Sequence, residues 1–97
     1  MTYTLAPFVT AEMLEKEGFV LIDNPFVYGS KLWDFTVRVL SNPATIMFFD
    51  KNTLVKWAMP ESNPVRDWQK EYNIKVEQIY QTKLQDLILK GYVIANG

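Results

Sequence analysis

The sequence predicts a single α+β domain over residues 1–97, in which a small antiparallel sheet carries helices on one face. Three observations support this fold class. Residues 34–59 contain three strand-like segments separated by turns, residues 63–91 have helical spacing, and a short capped helix precedes both. An apolar fraction of 48% and a charged fraction of 22% in 97 residues are typical of one globular domain.

The N-terminal segment predicts a short helix followed by a strand. Thr10 precedes residues 11–17 as an N-cap, and Gly18 ends the helix because glycine adopts the left-handed conformation at little cost. The continuous apolar run at 19–22 is typical of a buried strand, and a turn signal at 23–25 ends it.

The middle of the chain predicts a three-stranded antiparallel meander. In its first strand, 34–39, alternation directs Phe35, Val37 and Val39 toward a core and the intervening side chains toward water. The rest of the meander consists of a turn at 41–43, a strand at 45–49, a turn at 50–52 and a strand at 53–59. We expect one or two further strands, at 19–22 and 92–95, to join the same sheet as edges.

The C-terminal segment predicts a long helical region packed on one face of the sheet. Asn63 is placed to cap it, Pro64 suits the first helical position, and apolar residues follow at helical spacing. Asn73 tolerates a left-handed conformation, so the region is either one helix or two helices that meet there. Gly91 ends it before the final strand.

Composition argues against most catalytic chemistry. The chain has no Cys and no His, which excludes a thiolate nucleophile, an imidazole base and a Cys/His zinc site. Carboxylates on the helix at 12–17, together with Asp23, are the remaining acid–base option, and a solvated acidic face explains them more simply. We therefore predict no enzymatic activity, no cofactor and no metal.

Charge and hydropathy narrow the partners and the location. Ten basic and eleven acidic residues give a net charge of −1, which provides no overall field toward nucleic acid or an anionic membrane. No apolar run approaches the roughly 18 residues that a membrane span requires, and the start of the chain lacks a signal-peptide pattern. The expectation is a cytoplasmic protein without a membrane partner.

Two alternative function classes remain open. Residues 74–95 have the rhythm of a winged helix, with Gln81, Lys83 and Gln85 placed to face a groove of nucleic acid. A second wing strand is missing and acidic residues nearly balance basic ones there, so nucleic acid is an unfavoured partner. The other alternative is a homo-oligomeric structural protein that uses an exposed sheet edge or the helix stripe.

The aromatic content is the positive signal for a protein partner. An aromatic fraction of 14% exceeds what one small core needs, and interface cores are enriched in Tyr, Trp, Phe and Met. The predicted partner-binding residues are Phe26, Tyr28 and Trp33 in a loop-like stretch, and Trp57, Met59 and Trp68 near the start of the C-terminal helix. In the competing interpretation the loop aromatics pack over the sheet as core.

These observations together predict a non-enzymatic protein-interaction module that occludes a larger partner protein. A small inhibitor or regulatory accessory protein fits this description, of the kind that phages and mobile elements commonly encode. This choice rests on size and on elimination of other chemistries rather than on a motif.

Overall fold

The computed structural model describes residues 2–24, 27–49, 53–57 and 66–96. Its elements, in chain order, are β1 (Thr2–Leu5), α1 (Ala11–Lys16), β2 (Val20–Asp23), β3 (Lys31–Val39), β4 (Asn42–Phe49), β5 (Leu54–Trp57), α2 (Asp67–Leu89) and β6 (Val93–Asn96). The predicted α+β class, with a short N-terminal helix and a long C-terminal helix, is confirmed.

The strands form two antiparallel sheets. The larger has the order β2-β3-β4-β5, so the predicted meander is confirmed and β2 adds to it as an edge, as expected. The expectation for the last strand is wrong, because β6 pairs with β1, a strand that alternation did not reveal. A single bridge between Thr4 and Thr53 connects β1 to β5.

Local capping defines α1 as the sequence predicts. The Thr10 hydroxyl accepts the backbone N–H of Met13 at 3.3 Å, and Glu12 pairs with Lys16 at 3.4 Å one turn later. Gly18 has φ +94°, and a Cβ there would lie 3.0 Å from the Phe35 ring. Both its conformation and its contact therefore require glycine at this position.

Helix α2 runs without a break through Asn73. Its N-cap is Arg66, whose backbone N–H donates to the Gln69 side chain at 2.8 Å. The predicted start at Asn63 and Pro64 lies outside the described residues. Gly91 follows the helix with φ +76°, as predicted for a terminating glycine.

The core lies between α2 and one face of the larger sheet. Near the C-terminal half of α2, the buried side chains include Phe19, Trp33, Ile46, Phe48, Leu54, Leu84 and Leu87. A second cluster, around the N-terminal half, joins Val39 and Ala44 to Tyr72 and Val76. The Tyr72 hydroxyl also donates to the Pro43 carbonyl, so its polar end is satisfied. The packing of the helix on one sheet face is thus confirmed.

The turn between β3 and β4 falls at 40–41, one residue before the predicted turn at 41–43. Val39 pairs with Asn42, which leaves a two-residue loop whose residues both have positive φ, 49° at Leu40 and 70° at Ser41. Two-residue hairpin loops with this conformation match the twist of the strands, and they usually contain Asn-Gly. Leu40-Ser41 lacks these residues, so the sequence only weakly indicates the position of the turn. Pro43 belongs to β4 and not to the turn.

Replacing the loop by the residues that its conformation prefers should stabilise the domain. A bulky residue such as Leu40 is strained at positive φ, whereas asparagine and glycine tolerate it. We expect Leu40→Asn combined with Ser41→Gly to raise the free energy of unfolding by about 1 kcal/mol in urea titrations. An unchanged or lower midpoint would contradict the described turn.

The ion pair between β5 and α2 should make stability depend on pH in the acidic range. Lys56 bonds to Glu77, whose carboxylate also accepts from Gln81 at 3.0 Å, and these hydrogen bonds lower the pKa of Glu77. A depressed pKa stabilises the fold above the unfolded value of 4.5 and loses that effect as pH falls through the folded value.

We therefore expect Lys56→Gln to raise the Glu77 pKa, as measured by NMR titration. It should also lower stability at neutral pH and leave stability at pH values below both pKa values almost unchanged. The pair is largely exposed, so the neutral-pH loss should stay below about 1 kcal/mol. Equal losses at both pH values would show that Lys56 acts through packing alone.

Candidate functional site

The edge strand β2 presents apolar side chains to solvent on both of its faces. Phe19 is buried, but Val20 is 60% exposed, Leu21 48% and Ile22 38%. The expectation of a buried strand at 19–22 is therefore wrong for three of its four residues. The reason is position, since β3 is the one described strand beside β2. Leu21, opposite Trp33, lies at the margin of the α2 face, whereas Val20 and Ile22 lie on the other face, where no described helix packs.

The backbone of β2 also has a side that no described strand covers. The Asn24 N–H donates to the Ser30 carbonyl at 2.9 Å, which places Asn24 in a hydrogen-bonded pair with the β3 side. Because such pairs alternate along an antiparallel ladder, Val20 and Ile22 direct their N–H and C=O groups toward β3. Leu21 and Asp23 direct theirs outward, away from the sheet.

The turn that follows β2 extends this apolar patch. Val27 is 53% exposed, and the Tyr28 side chain is as exposed as in an extended chain. The Ser30 N–H donates to the Val27 carbonyl at 3.2 Å, which holds the turn, and Gly29 has φ +83°. A cleft of about 410 Å³ lies here, lined by Asp23, Asn24, Tyr28 and Gly29. We call Val20, Leu21, Ile22, Val27 and Tyr28 the β2 surface.

Trp33 does not belong to this surface, which corrects the predicted set of partner-binding residues. It lies in β3 rather than in a loop-like stretch, opposite Phe48, and it is 7% exposed. Alternation along β3 places it on the face that α2 covers, together with Phe35 and Val37. A partner cannot reach its ring without opening the core.

The remaining predicted aromatic residues are separated. Tyr28 is exposed on the β2 surface, whereas Trp57, 47% exposed, ends β5 and Trp68, 42% exposed, lies in the first turn of α2. No ring contact joins Trp57 to Trp68 among the described aromatic pairs. Phe26 and Met59 lie outside the described residues.

Trp57 lies on the sheet face opposite α2. Its neighbour Lys56 bonds to Glu77 of α2, so successive side chains place Trp57 on the other side, beside Thr45. The same face carries Leu32 and Met47, both buried, and two buried side-chain oxygens without a partner, Oδ1 of Asp34 and Oγ1 of Thr45. No described helix packs on this face.

Three of the four carboxylates that the sequence singled out, Glu12, Glu17 and Asp23, take part in ion pairs. Asp23 of β2 pairs with Lys31 of β3, and Glu12 pairs with Lys16. Glu17 is more deeply placed, since only 10% of its side chain is exposed. Its carboxylate accepts hydrogen bonds from both Lys83 and Lys90. The hydrogen bonds from Lys90 to Glu17 and Asp86 raise the pKa of that lysine.

Lys83, which the sequence placed at a nucleic-acid groove, has a structural role. Its Nζ donates to the Glu17 carbonyl at 2.7 Å and lies 4.8 Å from the centre of the Phe35 ring. It also borders a shallow groove of about 410 Å³ whose lining comprises Phe35, Gln78, Ile79, Thr82, Lys83 and Asp86. Gln85 is exposed, and the Gln81 side chain donates to Glu77.

Neither a candidate metal site nor a candidate membrane-spanning helix occurs among the described residues. No group of three or more Asp or Glu residues in this part of the chain could hold a metal ion. None of its helices has the length and hydropathy to span a bilayer.

Comparison with known proteins adds no relative. The chain matches no protein-family model, no curated protein and no solved structure.

Substitution of Trp33 and of Trp57 should distinguish a tryptophan of the core from one at the surface by the loss of stability. Trp33→Ala removes a buried ring and should lower the free energy of unfolding by about 3–5 kcal/mol. Trp57→Ala removes a half-exposed ring and should cost about 1 kcal/mol or less. Thermal unfolding followed by circular dichroism measures both, and equal losses would contradict the described burial of Trp33.

Proposed function

We propose that this chain is a non-enzymatic protein-interaction module that binds its partner through the β2 surface. The observation that carries the proposal is the run of three exposed apolar residues, Val20, Leu21 and Ile22, on a strand whose outer backbone groups have no described strand beside them. Monomeric proteins seldom present contiguous apolar patches unless a partner covers them.

Physical chemistry supports binding at this surface in two ways. Covering apolar area gains roughly 25 cal/mol for each Å² removed from water. A strand added beside β2 would also satisfy the outward N–H and C=O groups of Leu21 and Asp23, as in other complexes that extend a sheet. Tyr28, at the margin, supplies a large and rigid contact of the kind that dominates interface energies.

The mode of action that fits such a module is occlusion. A chain of 97 residues can cover part of a larger protein by its bulk, with the β2 surface as the anchor. An inhibitor or a regulatory accessory protein acts in this way, and a phage or mobile element is a natural source of one.

Surface charge supports a protein partner rather than nucleic acid. Six lysines each pair with a carboxylate: Lys16, Lys31, Lys56, Lys75, Lys83 and Lys90. These pairs reduce the positive potential that attraction to phosphate requires.

Site-specific photo-crosslinking tests the proposal. Tyr28 is replaced by p-benzoylphenylalanine, and the protein is irradiated in its native host; we expect a crosslinked protein adduct of defined mass. The matched control carries the same group in place of Ile74, which is 60% exposed on α2 and lies away from β2. Absence of any adduct from position 28, or identical adducts from both positions, would contradict binding through the β2 surface.

A further inference from the structure

We infer that β2 pairs with β2 of a second copy of this chain, antiparallel and across a twofold axis that passes beside Leu21. This inference rests on the proposed function in using the β2 surface as the binding site, and it assigns that surface to a second copy of the chain instead of a larger protein. The resulting dimer would join two four-stranded sheets edge to edge into one continuous sheet.

The first argument is the conflict between the sequence of β2 and its place in the monomer. A continuous apolar run is typical of a strand whose two faces are both buried, and residues 19–22 have that pattern. In the isolated chain, however, β2 is an edge, with Val20, Leu21 and Ile22 all exposed. A second strand beside β2 would bring its own side chains against those of Val20, Leu21 and Ile22 on both faces of this edge, and so reduce their exposure.

The second argument is that β2 is complementary to itself. Leu21 has its backbone groups directed outward, so two copies of it form a hydrogen-bonded pair about a twofold axis. Opposite residues in an antiparallel pair share a face, which sets Val20 against Ile22 of the other copy. This register places each exposed aliphatic side chain of the strand opposite another.

The third argument is the absence of devices that protect edges. Such strands are usually guarded by lysine, proline or a bulge, and Val20–Asp23 contains neither residue and pairs with β3 in unbroken register. Its one charged residue, Asp23, already pairs with Lys31. In the proposed register Asp23 faces Phe19 of the other copy, so no two like charges meet.

The other edge of the larger sheet is less suited to this role. β5 is bridged to β1 through Thr53 and Thr4, and Lys56 on it bonds to Glu77. Among the described strands, β2 is thus the edge of the larger sheet that combines outward backbone groups with aliphatic side chains on both faces.

Sedimentation equilibrium of the purified chain over a broad concentration series measures the dimer directly. We expect a reversible monomer–dimer equilibrium, and Leu21→Lys should weaken it about tenfold or more, because an edge lysine opposes its own copy. Ile74→Lys adds the same charge on α2 and should leave the equilibrium unchanged. Circular dichroism checks that each variant folds. A strictly monomeric wild-type protein would overturn the inference.

Cysteine crosslinking tests the register, and the chain suits it because it contains no natural cysteine. Leu21→Cys should form a disulfide-linked dimer, since the Cα atoms of a hydrogen-bonded pair lie about 5.5 Å apart, within the range that a disulfide spans. Val20→Cys alone should not crosslink, because its copies lie diagonally at about 7–8 Å, but a mixture with Ile22→Cys should. Crosslinking of Ile22→Cys alone in place of Leu21→Cys would overturn the register.

These outcomes also separate the inference from the proposed function. A monomeric chain that still captures another protein from position 28 overturns the dimer and supports the interaction module. A monomeric chain that captures nothing overturns both. A dimer whose only adduct from position 28 is a second copy supports the dimer and contradicts the larger partner.

Discussion

One long helix covering one face of a four-stranded sheet is the constraint on which the rest of the structure depends. Adjacent strands lie about 4.8 Å apart and a helix with its side chains is about 10 Å wide, so α2 cannot shield the full width of the sheet. It packs against Val39 of β3 and Ala44 of β4, and it bonds to Lys56 of β5. Leu21, on the marginal strand β2, is therefore left in water, and Val20 and Ile22 are exposed on the opposite face, which no described helix covers.

Ion pairs fasten the elements that this arrangement leaves at the margins. Glu17, at the end of α1, accepts from Lys83 and Lys90 of the distant C-terminal segment, which ties the first helix to the last. These contacts are partly shielded from solvent, so losing one partner costs more than losing an exposed pair. Gly18, the next residue along the chain after Glu17, lies against the Phe35 ring shortly before β2 begins.

The features that the sequence predicts well are those with local causes. Thr10 caps α1 and Gly18 ends it through contacts within a few residues, and the alternation of 34–39 follows from strand geometry alone. The features that the sequence predicts poorly depend on segments that are distant along the chain. The exposure of Leu21 follows from the lateral order of strands, and β1 exists because Thr2–Leu5 meets the C-terminal strand. Neither leaves a periodic signal.

The candidate site illustrates the same limit. An aromatic residue is equally suited to a core and to an interface, so composition alone did not separate Trp33 from Tyr28. Strand register separates them, because Trp33 lies opposite Phe48 on the covered face whereas Tyr28 lies in a turn. The exposed aliphatic residues of β2 are not distinguishable by sequence from those of a buried strand, because their exposure depends on which strands lie beside β2.

The pairing of β1 with β6 has a topological consequence. Thr2 lies opposite Asn96, so the two ends of the described chain emerge side by side, about 5 Å apart at the Cα atoms. A short peptide linker between them would close the backbone into a ring without disturbing either strand, and new ends opened in a surface turn would give a circular permutant with the same packing. The same packing of helices and strands is therefore compatible with more than one order of these elements along the chain.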